Sequence, residues 1–170
     1  LAYFNKFNLR HEATILLENA FQLDTTDARV FMELDQLYKK LNHSPESRIA
    51  LFEKHKPLIA QRDDLLIEYV TLLNQLGKHH EAMETIDLNK FHPWEGGEGK
   101  ITKQYVVCRV ELAKYAITSG DYTEALRLLH QTDAYPHHLG EGKLANAEEN
   151  EINYYKGKAY KKLGAKHNAE

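Results

Sequence analysis

The stretch ELAKYAITSGDYTEALRLL, residues 111–129, carries an apolar helical period on both sides of one glycine, Gly120. A glycine after such a run ends a helix, because it enters positive φ without the steric cost other residues meet. Ala125 follows five residues later, and a side chain that small lets two helix axes come close. The stretch therefore predicts an antiparallel helical hairpin. Two further stretches align with it, YVTLLNQLGKHHEAMETI (69–86) and YYKGKAYKKLGAKHNAE (154–170), placing Gly77, Gly120 and Gly164 together and Ala82, Ala125 and Ala169 together.

Two earlier units are more degenerate. In residues 27–58 the first helix is DARVFMELDQLYKKL, the turn is NHSPES with Pro45 placed to begin a helix, and Ser47 takes the small position of the second helix, ESRIALFEKHKPL. At the start, Ala13 and Ala20 lie on a second helix, EATILLENAFQL, preceded by the tail of a first helix around Ala2 to Phe7. The small positions 13, 47, 82, 125 and 169 are spaced by 34, 35, 43 and 44 residues. The first two intervals match the period of a tetratricopeptide repeat. The longer ones carry insertions between units, FHPWEGGEGK (91–100) and YPHHLGEGK (135–143), both ending in Gly-Glu-Gly-Lys.

The chain is thus read as one all-α domain over 1–170, a right-handed superhelical solenoid of antiparallel hairpins. Its units are 1–25 (partial), 27–60, 63–90, 101–134 and 144–170 (partial), with long inter-repeat loops at 91–100 and 135–143. Units incomplete at both ends suggest a piece of a longer array, whose open terminal helices could pair two copies into a homodimer.

The small-Ala, Gly-turn and aromatic pattern, best seen in Gly157, Tyr160, Gly164 and Ala169, resembles the tetratricopeptide repeat. More specifically, RDDLLIEYVTLLNQLG (62–77), FHPWEGGEGK and LGEGKL followed by Glu149-Asn150 are similar to the repeat region of large uncharacterised bacterial proteins. In those, a β-rich domain resembling sugar-mutarotase sandwiches precedes a helical array. The resemblance implies a cytoplasmic bacterial protein with a link to carbohydrate and identifies no catalytic residue.

Composition narrows the function. With 22 Lys+Arg against 25 Asp+Glu and a net charge of −3, the chain offers no field for a phosphate backbone, so nucleic acid is not an expected partner. One cysteine forms no internal disulfide and suits a reducing compartment. No apolar run approaches the roughly 20 residues of a membrane span. The Gly-rich strings fail as phosphate loops: Trp94 and His137 stand where the first glycine belongs, and Ile101 and Leu144 replace the hydroxyl residue. No metal-ligand spacing occurs among the 10 histidines, and no cofactor is expected. Adjacent His79 and His80 point about 100° apart on a helix and read as solvated helix-end residues. Cys108, in an apolar helix, reads as a small core residue.

Two surfaces could carry function. If the insertions are neighbours, His92, Trp94, Glu95, Glu98 and Lys100 meet His137, Glu141 and Lys143. An aromatic ring among carboxylates and amines suits a glycan or a carboxylate. The competing reading makes each Gly-Glu-Gly-Lys a cap, with Glu accepting helix-start N–H bonds. A hydrolase would need Glu95 or Glu98 buried and facing Glu141. The other surface is the groove of first helices, where Arg29, Gln36, Lys39, Lys40, Asn74, Lys114, Lys158 and Lys161 could clamp an acidic peptide. The favoured function is a non-catalytic scaffold binding a protein or peptide, or the β-rich domain of its own parent chain. At the start of the third unit, Asp63 is the expected N-cap and Asp64 faces the helix dipole.

Overall fold

The computed structural model describes residues 9–92, 94–145 and 147–164; the helix tail expected at 2–7, and Pro93 and Ala169, lie outside them. Among the described residues the regular structure is nine α-helices and one 3₁₀ turn, with no strand. The chain is all-α. It divides into two compact units between Leu76 and Gly77, a boundary that falls within the stretch read as the unit 63–90.

The first unit contains α1 (Arg10–Leu23), α2 (Ala28–Lys40), α3 (Pro45–Lys54), the single turn α4 (Lys56–Ile59) and α5 (Asp63–Gln75). Local chemistry sets the starts of α2 and α3. The Asp27 carboxylate accepts from the N–H groups of Arg29 and Val30, at 2.8 and 3.0 Å, and Ser44 caps α3 with Pro45 in its first turn. Helix α1 packs on α2, and α3 on α5. Phe21 stacks on Phe31 and Phe31 meets Phe52 at a tilt, with ring centroids 5.3 and 4.9 Å apart, and all three are buried. Each such ring contributes about 2–3 kcal/mol of burial.

Two local expectations are corrected here. Ser47 does not occupy a small buried position: it is exposed, its N–H donates to the Ser44 hydroxyl and its own hydroxyl donates to the Ser44 carbonyl. Capping has claimed it, and Arg48 turns inward instead, 4% exposed. At α5 the N-cap is Arg62 and not Asp63; the Arg62 guanidinium grips the Asp64 carboxylate through bonds of 2.9 and 2.7 Å, which sets both acids in the first turn.

Arg48 joins three helices. Its Nε and Nη2 donate to the two oxygens of Asp35 on α2 at 2.9 and 2.8 Å, and Nη2 also donates to Glu68 on α5 at 2.6 Å. Glu68 receives Lys39 as well, 2.8 Å from each carboxylate oxygen. Burial is the largest influence on both acids. It raises the Asp35 carboxyl above its usual range despite Arg48, whereas two cationic donors hold Glu68 below.

The second unit contains α6 (His79–Leu88), α7 (Lys100–Ser119), α8 (Tyr122–His130), a 3₁₀ turn (His137–Leu139) and α9 (Asn150–Lys162). Gly120 stops α7 at φ +84°, where the Asp121 N–H donates back to Ala116. The Asp121 carboxylate then caps α8 by accepting from the Glu124 N–H at 2.9 Å. Ala113 on α7 and Ala125 on α8 are completely buried, and the two helices pack together. Helix α7 also packs against α6 and α9, and α8 against α9. Cys108 lies fully buried on α7. His79 is half-buried at the start of α6, where burial lowers its pKa, and His80 is exposed.

Candidate functional site

The start of α7 explains how the two long loops are joined. Gly99, at φ +77°, precedes the first helical residue, and no side chain of the same loop caps it. Four N–H groups at a helix start lack intrahelical partners and attract negative charge. Glu141 supplies it from 42 residues away: the Gly99 N–H donates to its two carboxylate oxygens at 3.0 and 2.9 Å, and the Thr102 hydroxyl donates at 3.2 Å. A side chain at position 99 would be strained by its φ and would also meet Leu144, since a Cβ there lies 2.9 Å from the Leu144 Cδ1. The Phe91 N–H donates to the His138 carbonyl at 2.8 Å, and Phe91 and Leu139 are both buried beside this joint.

The duplicated strings therefore do different work. In the first, Gly97 lies beneath the Trp94 indole, so close that a Cβ would stand 2.4 Å from a ring atom. Lys100 Nζ sits 5.3 Å from the indole centroid, a cation–π distance. In the second, Gly140 turns the chain at φ +74°, Glu141 caps α7, and Lys143 ion-pairs with Glu149, which holds its ammonium above the usual range.

Of the loop residues singled out from sequence, Glu141 is brought onto the other loop. Glu95 and Glu98 are exposed, as are His92 and His137, and Lys100 covers Trp94. The buried, facing carboxylate pair of a glycosidase is not formed by Glu95 or Glu98. His138, beside His137 in the second insertion, points its Nε2 toward Asp87 at 3.9 Å.

The groove set separates by unit. In the first, Lys39 is bound to Glu68, Arg29 lies 3.5 Å from Glu33, Gln36 is half-buried, Lys40 is exposed and Asn74 is buried. In the second, Lys114 pairs with Glu111 and Glu151, 2.6 Å from each, and lies over the Tyr155 ring. Those carboxylates raise its pKa against the effect of burial. Lys158 also lies near Tyr155, at 5.8 Å, and Lys161 is exposed. Lys39 and Lys114 are thus each paired with carboxylates of their own unit.

Between α7 and α9 a cavity of about 480 Å³ opens beside the joint. Val106, Val107 and Val110 present one face of α7 to it, with Ile152 and Leu144 completing an apolar lining. Gly99 and Thr102 belong to its wall, so the Glu141 cap shapes one end. Tyr135 forms another part of the wall, its ring edge-on to Tyr105 at 5.8 Å and its phenol pKa raised chiefly by burial. Lys103 and Glu148 stand exposed at the rim. Sequence reasoning missed this site, although the Val106-Val107 pair and Val110 form an apolar patch beyond what the helix pair needs.

Among the described residues no group of His, Cys, Asp and Glu is arranged to hold a metal ion, and no helix is long and apolar enough to cross a membrane. No protein-family model matches the chain, and no solved structure is significantly similar to it.

Proposed function

We propose that the chain is part of a tetratricopeptide-like, right-handed helical-repeat scaffold that is non-catalytic and binds a protein partner. The observation that carries this reading is the cavity between α7 and α9, which is apolar at its floor and polar at its rim. Such a site takes an aliphatic or aromatic anchor side chain and orients it by a few polar contacts. The partner is a separate protein or the β-rich domain of a cytoplasmic bacterial parent chain with a carbohydrate-related role. A glycan or carboxylate held by the loops themselves is less well supported. Glu141, Lys143 and the Trp94 ring, the groups that would bind it, already have partners.

Peptide phage display on the immobilised chain tests the proposal. Enriched sequences should share one large apolar residue, and Val107→Lys should abolish their binding while far-UV circular dichroism stays unchanged. Val107 is only half-buried, so the substitution is compatible with folding. Enriched peptides that bind the variant equally well would refute the cavity as the site. Saturable quenching of Trp94 by a member of a glycan panel would instead favour the loops.

A further inference from the structure

A second groove, of about 580 Å³, is independent of the cavity above. Helix α7 forms its floor through Arg109, Leu112, Ala116 and Ser119, which recur on one helical face, while α6 and α8 form the walls. From Arg109 to Ser119 the floor runs about 15 Å, the length of nearly three helical turns. Met83 and Leu128 add apolar wall, and two large apolar residues of the lining stand out in water, Leu88 at 77% and Tyr115 at 73% exposure. Exposed apolar side chains grouped along a groove are a recognition feature.

The α6 rim is acidic. Glu84 and Asp87 line the α6 side, and Asp121 and Glu124 the α8 side. On the α8 side the arginines of the lining offset these acids. Arg127 is held by Glu124 through two bonds of 2.6 Å, and the Arg109 guanidinium lies over the Tyr105 ring at 5.0 Å with its Nε buried and unpartnered. His80 is exposed, and His138 stands 3.9 Å from Asp87.

We propose that this groove docks an amphipathic α-helix of a partner protein, its apolar stripe on Leu112, Tyr115 and Leu88 and its lysines or arginines over Glu84 and Asp87 of the α6 rim. The length of the floor, the exposed apolar pair and the charge of the α6 rim all fit that occupant. The recognition does not depend on the cavity between α7 and α9.

Three labelled peptides of about 14 residues test it by fluorescence anisotropy. The first carries leucines at helical spacing with lysines between, the second replaces lysine by glutamate, and the third scrambles the first. The Leu/Lys helix should bind at least about tenfold more tightly than the other two, and less tightly at about 300 mM than at 50 mM salt. Tyr115→Ser, and Glu84→Lys with Asp87→Lys, should each weaken it about tenfold. Amide shift changes should gather on α6 and α8, and Val107→Lys should leave binding unchanged. Absence of binding, equal binding of the glutamate or scrambled peptide, indifference to these substitutions, or shift changes elsewhere would overturn the proposal.

Discussion

Replacing Arg48 with methionine removes the cation that Asp35 and Glu68 share while keeping a long apolar stem in the same space. Asp35 is 0% exposed and Glu68 8%, so neither carboxylate can turn to water. Lys39 still reaches Glu68, but Asp35 loses both of its strong donors. Removing one partner of a buried ion pair costs about 3–5 kcal/mol, chiefly from the charge left behind. With a denaturant slope of about 2 kcal/mol per molar, urea unfolding followed by far-UV circular dichroism should shift by about 1.5–2.5 M. Removing the pair together, as Asp35→Leu with Arg48→Met, should recover most of the loss, because Lys39 and Glu68 remain paired. The pH dependence has a defined sign. The Asp35 carboxyl is already raised in the folded state, so it binds a proton more readily folded than unfolded, and its unfavourable ionisation is relieved as pH falls. Without Arg48 that rise is larger, and the gap between variant and wild type should narrow by about 1 kcal/mol or more between pH 7 and 4.5. In the wild type Glu68 works in the opposite direction: its depressed pKa contributes stability above the unfolded value that is lost in acid. A cost for Arg48→Met below about 1 kcal/mol, or a double variant worse than the single one, would refute the reasoning.

Other outcomes follow from the second unit. Glu141→Ala should destabilise by about 1–2 kcal/mol in urea unfolding, and Glu141→Gln by roughly half as much because an acceptor oxygen remains. Gly120→Ala should cost about 1–2 kcal/mol in the same assay, since its φ of +84° places a side chain in the left-handed region. His79 should titrate below the ordinary value of about 6.5 by NMR. Its folded pKa is lowered by burial, so the unfolded chain takes up the proton first and stability should fall as pH drops below about 6.5, a slope that His79→Gln removes.

The helices and their stops were legible because the signals are local. Gly77, Gly120 and Gly164 all adopt positive φ, and Ala82 and Ala125 are completely buried. The register of α3 was not legible. Ser47 is small, but it lies three residues after Ser44 and is drawn into the cap, while the inward place goes to Arg48, whose partners lie 13 and 20 residues away. A signal was present: Asp35 and Glu68 interrupt the apolar faces around Leu34 and Leu37, and Leu65 and Leu72. Opposite charges on facing apolar stripes are the trace a buried pair leaves in a sequence.

The loops show the same limit. Identical Gly-Glu-Gly-Lys strings suggested identical roles, yet only Glu141 bonds the start of α7, because that interaction needs a helix end opposite the loop and not the string alone. Glu98 remains exposed. Reading the cavity required knowing that Val106, Val107 and Val110 face α9, which follows from the packing of two helices distant in sequence.

Glu141 joins the two loops, and its contact with Gly99 shapes the cavity proposed to hold a partner. Hydrogen exchange at the Gly99 amide, in the wild type and in Glu141→Ala, measures it directly. The structure predicts an amide that exchanges about 100-fold or more slowly in the wild type and loses that protection in the variant, while amides in the middle of α7 keep theirs. A Gly99 amide unprotected in the wild type, or equally protected without the carboxylate, would contradict it.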